Sequence, residues 1–314
     1  MSTQSTKTWK STGEQIALLR GRGMVIEDEE RAALFLSRVG YYRLSGYWYP
    51  FRQNEGGIRL DQFIEGSRFE DVIGLYQFDR RLRLLALDAI ERIELAVQVD
   101  VAHLLGRHDR YAHHDHRFLD RGFVAKTGGY GYQGWLENYH SLVKRSKATF
   151  VEHNLAKYGK LPIWVAIEVF DFGCLSKFFE GMKGRDKQII SEKYGFVPGK
   201  TISSWLRSLN YIRNVSAHHS RLWNCNVVER ATVQRHMTEL RSLKNERPFL
   251  YFCILKQMLD VICPESDWGD RFIALIQDFP NIENGTVSLD HFGLVEEWGS
   301  WALWEKESRR LQSS

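Results

Sequence analysis

The sequence predicts an all-α protein. Three observations carry that expectation. Apolar residues recur at threes and fours over long stretches, and alternating strand-like runs are scarce. The six prolines (Pro50, Pro162, Pro198, Pro248, Pro264, Pro280) fall between periodic segments, where proline punctuates helices rather than breaks them. No internal repeat at a fixed period is visible.

Thr12-Gly13-Glu14-Gln15 fits a capping box opening a short helix over residues 16–20. Asp28 is placed to cap a second helix carrying Ala32, Phe35, Leu36 and Val39. The segment YYRLSGYWYPF (41–51) is dense in rings, for which core packing is the favoured reading and base stacking the other. Residues 69–105 carry the strongest helical signal, through Val72, Leu75, Tyr76, Leu82, Leu85, Ala89, Ile93, Ala96 and Leu104. Unbroken, that helix reaches about 55 Å. Its other faces hold Arg80, Arg81, Arg83, Glu91, Arg92 and Glu94, and its length suits a scaffold or a dimer element.

Residues 106–134 read as a loop or insertion, and helical patterning resumes over 135–158. Pro162 opens a helix over 163–170, with Glu168 inside its apolar run. Gly195 closes a helix over 186–194, and another runs from about Thr201 through Arg221. One or two further helices and a Trp-rich end (Trp298, Trp301, Trp304) complete the chain. The expected organisation is a disordered tail (1–11), an N-terminal helical segment (12–68), a helical core (69–230) interrupted by the insertion, and a C-terminal helical extension (231–314). The last seven residues read as a second frayed tail.

Lys and Arg number 43 against 39 Asp and Glu, a formal charge of +4, which permits an acidic partner without demanding one. Cys174, Cys225, Cys253 and Cys263 form no CxxC pair, as expected of reduced thiols in a cytoplasmic protein. No leader pattern and no apolar run of about 18 residues is present, so no membrane partner is expected. Ser45-Gly46 and GGYGYQG (128–134) lack the strand–loop–helix context and lysine of a phosphate-cradling loop, which argues against ATP or GTP use. His103, His108, His113, His114 and His116 with Asp115 invite a transition metal. Metal sites need fixed geometry, so an exposed loop is the preferred reading, and no metal or other cofactor is expected.

The segment RNVSAHH holds the chemistry. With Arg213 at zero on a continuing helix, Asn214 points to about 100°, His218 to about 140° and Arg221 to about 80°. Ala217 falls between them at about 40°, leaving room for a substrate, whereas His219 points away near 240°. Arg offers a planar fork to phosphate oxygens, and His exchanges protons near neutral pH. The group therefore suits phosphodiester chemistry. On spacing alone a second reading stays open, a helix end whose carbonyls are held by His and Arg.

Four blocks add context: YYRLSGYWYPF (41–51), FDRRLRLLALDAIERIELA (78–96), LPIWVAIEVFDFGCLSK (161–177) and YIRNVSAHHSRLWN (211–224). Through them the chain resembles, over residues 12–230, the Abi-like family of bacterial abortive-infection proteins, of AbiD and AbiF type. The last block also resembles the RxxxxH signature of the HEPN superfamily. The resemblance implies a HEPN-type helical bundle core with additional N- and C-terminal helices, a homodimer, and an endoribonuclease with Arg213, Asn214 and His218 in the nuclease positions. It also implies Arg near position 98, where this chain has Gln98, which puts one RNA contact in question.

The roles expected from this are specific. His218 serves as general base or acid, Arg213 holds the scissile phosphate, and Asn214 positions His218 or the ribose 2′-OH. Glu168 and Glu94 are candidates for orienting Arg213, and His219 and Arg221 are supporting candidates. RNA is the expected partner, as substrate and as a neutralising noncoding RNA. It is expected to bind through Arg80, Arg81, Arg83, Lys144, Arg145 and Lys147. The alternative is a helical RNA- or protein-binding module that does not cut.

Overall fold

The computed structural model describes residues 8–195 and 199–305. Residues 1–7 of the expected N-terminal tail, Pro198 and the tail at 308–314 lie outside the described residues. The regular structure is fourteen α-helices and one small hairpin among the described residues, so the all-α expectation holds.

Helix α1 (Thr12–Gly21) opens on a capping box one residue earlier than expected. Ser11 accepts from the Glu14 N–H, and Glu14 accepts from the Ser11 N–H at 2.7 Å. Asp28 caps α2 (Glu29–Arg38) as predicted, accepting from the Arg31 N–H at 2.8 Å. The ring-dense block forms α3 (Tyr41–Trp48) and divides by face. Leu44, Tyr47, Trp48 and Phe51 are core, whereas Tyr42 and Tyr49 are exposed. An unforeseen hairpin follows, β1 (Arg52–Glu55) paired antiparallel with β2 (Ile58–Phe63). Gly56 and Gly57 turn it with φ of +57° and +88°, two positive values in succession that glycine adopts without strain.

Helix α4 (Phe69–His108) is one unbroken rod of 40 residues, three longer than the periodicity suggests. Its apolar stripe, from Val72 through Leu105, is buried except at Tyr76, Ala96 and Leu104, which are partly covered. Each fully buried large side chain in such a stripe is worth roughly 1.5–3 kcal/mol. Helices α5 (Arg121–Ala125), α6 (Tyr132–Arg145) and α7 (Thr149–Tyr158) follow. They lead to α8 (Ile163–Ala166), α9 (Phe172–Glu180), α10 (Gly184–Lys193) and α11 (Lys200–Ala217). Helices α9 and α11 pack on each other and on α4. The order of contacts runs from Lys193 and Tyr194 on Asp100 to the backbone of Leu222 on Asp79, so α11 lies antiparallel to α4.

The C-terminal stretch supplies α12 (Thr238–Ser242), α13 (Pro248–Ile262) and α14 (Trp268–Gln277). Helix α13 packs on α4 and α11, and α14 packs on α4. Trp298, Trp301 and Trp304 close over α13 and α14 against Phe249 and Phe272. The buried apolar residues form one continuous core from Ile16 to Trp304.

The histidine-rich stretch differs from the exposed loop expected. Tyr139 of α6 covers His113 edge-on at 5.6 Å, and the Tyr132 hydroxyl donates to the His113 carbonyl at 3.3 Å. His113 is buried with no hydrogen-bond partner for either ring nitrogen among the described residues, and burial pushes its imidazole down to about 2. Burial likewise lowers His114 to about 4. His103, His108 and His116 remain exposed. Among the described residues no group of three or more His, Cys, Asp or Glu side chains is arranged to hold a metal ion. Among them, too, no helix is long and apolar enough to cross a membrane.

Candidate active site

Helix α11 buries Ile202, Trp205, Leu206, Leu209 and Ile212 on one face and turns Arg213 and Asn214 toward the surface, each half-buried. The helix ends at Ala217 rather than continuing through Arg221. The His218 N–H still bonds the Asn214 carbonyl at 3.0 Å, and His219 then takes a left-handed φ of +56°. The Ser220 N–H reaches back to the Val215 carbonyl at 2.9 Å, and the His219 N–H to the Ser216 carbonyl at 3.1 Å. This is a Schellman end, with histidine where glycine is usual. His218 keeps its place on the helix end and is exposed, next to the Arg213–Asn214 face. His219 and Arg221 leave the helical wheel, so the directions expected for them do not apply.

A side chain that is not glycine pays about 1–2 kcal/mol to stand in the left-handed region, and the surroundings must hold it there. They do so through Asp79, fully buried on α4. Its Oδ1 accepts from the N–H groups of Leu222 at 3.0 Å and Trp223 at 2.6 Å. Its Oδ2 accepts from the Tyr47 hydroxyl at 2.6 Å and from the Arg83 guanidinium. Arg83 also donates to Tyr47 Oη at 3.0 Å and to the Ser220 carbonyl at 3.3 Å. Arg43 donates to the His219 carbonyl at 3.3 Å, and Arg221 donates to the Gly46 carbonyl. Burial pushes the Asp79 carboxyl up, while Arg83, Tyr47 and the two N–H groups pull it back, and all four suit the ionised form. Burial and the charge on Asp79 raise the Tyr47 hydroxyl well above its ordinary range. Helices α3 and α4 thus clamp the turn that carries His218.

Two carboxyls lie near this face: Glu94, on which the Arg213 charge acts, and Asp171, whose charge acts on Glu94. Glu94 lies on α4, where burial pushes it up to about 7 against the pull of the Arg213 charge, with Asp171 and Glu91 adding to the rise. Asp171 caps α9, accepting from the Cys174 N–H at 2.7 Å. Among the described residues the one side-chain hydrogen bond of the Arg213 guanidinium is to Asn214 Oδ1 at 3.4 Å, which leaves most of its fork for a ligand. Asn210 belongs to the same face. On the wheel it falls at about 60°, between Arg213 and Asn214. A Cβ built on Gly173 meets the Asn210 amide at 3.6 Å and Asp171 Oδ1 at 3.4 Å, so the start of α9 lies against Asn210.

The structure sorts the other expected residues. Glu168 is exposed on a short 3-10 turn and makes no hydrogen bond or ion pair among the described residues, so it does not hold Arg213. Arg83 is buried on Asp79 and cannot reach an RNA, contrary to the expectation for it. Arg81 is exposed but paired with Asp278 at 2.5 Å. Arg80, Lys144, Arg145 and Lys147 are exposed. Gln98 is buried and donates to the Phe170 carbonyl at 3.2 Å, so position 98 braces the approach to α9 rather than facing solvent. Asp79, Asn210 and Asp171 went unnoticed in the sequence. Asn210 and Asp171 carried signals, the first by standing four residues before Asn214 and the second by preceding an apolar run at capping distance.

No curated protein and no solved structure matches the chain. The family model for Abi-like proteins matches residues 34–224, a span that holds α3, α4, α9, all of α11 and the turn bound by Asp79; the chain belongs to the Abi-like protein family.

Proposed function

We propose that the protein is a metal-independent endoribonuclease of the HEPN superfamily. It would act in the cytoplasm within an abortive-infection or toxin–antitoxin type system. The observation that carries this reading is the C-terminal end of α11, where Asn210, Arg213, Asn214 and the exposed His218 share one face, ahead of a turn braced from beneath. RNA brings its own nucleophile. The ribose 2′-OH gives its proton to a base and attacks phosphorus, the bond to the 5′ oxygen breaks, and that oxygen takes a proton. The guanidinium of Arg213 offsets the charge that builds on the phosphoryl oxygens. Asn210 and Asn214 supply amides to orient the ribose or the imidazole.

Purified protein incubated with RNA is expected to leave 2′,3′-cyclic phosphate and 5′-OH ends, with or without EDTA. Arginine, amides and imidazole supply proton transfer and charge without a carboxylate cage for magnesium. Ends bearing a 3′-OH, or activity that requires added metal, defeat the assignment.

One imidazole does not readily serve as both base and acid in a single turnover. We therefore assign the activity to a homodimer in which two copies of His218 and Arg213 meet at one phosphate. A further feature of α4 supports a two-fold contact. Its main stripe is core, but Leu84, Leu95 and Val99 remain exposed on another face, within about 60° of one another. A purified mixed dimer with one His218→Ala chain is expected to lose most activity. Half activity is the result for independent sites and rules out the composite one. The RNA partner that restrains the protein would bind through Arg80, Lys144, Arg145 and Lys147.

A further inference from the structure

Helix α3 carries more than core. Tyr42, Gly46 and Tyr49, the last of which follows α3 directly and keeps helical dihedrals, fall within about 60° of one another on the wheel, so they share a face. Tyr42 is 88% exposed and Tyr49 48% exposed. The guanidinium of Arg221 lies over Gly46 and donates to its carbonyl. A Cβ at position 46 would come within 3.3 Å of Arg221 Nη1, so the missing side chain makes room for the arginine. Arg221 keeps a buried Nε donor without a hydrogen-bond partner among the described residues. Arg59 stands 5.5 Å from the centre of the Tyr49 ring. Arg43, beside Tyr42, donates to the carbonyl of His219. Rings and guanidiniums therefore alternate along a surface that begins at the turn carrying His218. None of Arg43, Arg59 and Arg221 pairs with a carboxylate among the described residues.

We propose that Tyr42, Arg43, Arg221, Tyr49 and Arg59 form a track for single-stranded RNA leading to the His218 turn. Exposed rings gain by stacking on bases, and guanidiniums bind phosphates and stack as well. The two tyrosines start about 10 Å apart along the helix axis, with a guanidinium between them. Duplex RNA is a poor occupant, because its bases already stack on one another and offer no face to a ring. Charge also decides between occupants, since three guanidiniums bonded to backbone carbonyls and to no carboxylate among the described residues keep their charge uncompensated and favour a polyanion over an apolar partner surface. The choice of RNA rests on the ribonuclease reading of the same site.

The test is binding in a His218→Ala background, where strand scission does not interfere. Fluorescence anisotropy with a labelled single-stranded oligoribonucleotide of mixed sequence is expected to give salt-sensitive binding. The same strand annealed to its complement competes weakly. Tyr42→Ala weakens binding by about 5- to 150-fold, the range for one lost stack, and Tyr42→Trp restores it. Tyr42 is almost wholly exposed, so neither variant threatens the fold. Unchanged affinity in Tyr42→Ala, or duplex bound as tightly as single strand, overturns the track. A dimer that dissociates in Tyr42→Ala while RNA affinity holds gives the face to a second copy and also overturns it. The two readings fail separately. Loss of cleavage in His218→Ala with normal behaviour of Tyr42→Ala keeps the nuclease and removes the track. Weakened binding in Tyr42→Ala without any cleavage that depends on His218 does the reverse.

Discussion

His218→Ala and Arg213→Ala are each expected to lower RNA cleavage by about 10²–10⁴-fold while the protein stays folded. His218 is exposed at the helix end and Arg213 is half-buried, so neither side chain is a core element. Arg213→Ala carries an additional signature. Arg213 is the positive charge that holds the Glu94 carboxyl down against burial, so its removal lets that carboxyl rise further above about 7. Cleavage of a defined RNA at matched melting temperature measures both variants. Equal rates in wild type and His218→Ala sink the catalytic assignment.

Asp79→Ala is expected to destabilise the protein by about 3–5 kcal/mol, the range for breaking a buried ion pair from one side. The loss strands four groups at once: the Arg83 guanidinium, the Tyr47 hydroxyl and the N–H groups of Leu222 and Trp223. A second variant separates their contributions. Replacing both members, as Asp79→Leu with Arg83→Met, removes the unpaired charge and on that ground alone approaches neutrality. The two N–H groups and the Tyr47 hydroxyl stay unsatisfied in the double variant, so recovery is expected to be partial, with about 1–3 kcal/mol missing for each buried donor left bare. Denaturant midpoints at constant slope give the comparison. A wild-type midpoint in Asp79→Ala means that the turn stands without the carboxylate. Full recovery in the double variant means that the backbone donors find other partners.

Much of this architecture is legible in the sequence because one long helix obeys a simple period. The apolar positions from Val72 to Leu104 bound α4 within three residues, and Asp28 marks the start of α2. The face formed by Arg213, Asn214 and His218 follows from the same 100° step. The failures share a cause, which is tertiary bonding overriding local pattern. The end of α11 carries no glycine, so nothing local signals a stop at Ala217. His219 adopts its left-handed geometry because Arg43, Arg83 and Asp79 hold the chain around it. Arg83 stands in a row with Arg80 and Arg81 and reads as solvated, yet its partner one turn earlier draws it inside. Glu168 reads as part of an apolar helix, but the helix gives way to a 3-10 turn that leaves it in solvent. The Gly56-Gly57 pair did announce its hairpin, in a stretch too polar for the alternation to stand out.

Helix α4 also sets a rule for how this chain can change length. It supports the motif twice, near Arg213 through Glu94 and beneath the following turn through Asp79. Those supports are fifteen positions apart on a helix without a break, which fixes them at about 22 Å and in one angular relation. Adding or deleting a single residue between them would swing one support by about 100° relative to the other. A loop absorbs such a change; this interval has no loop. Across homologous sequences the interval from Asp79 to Glu94 should therefore be free of insertions and deletions, while the segment between α4 and α6 is free to vary in length.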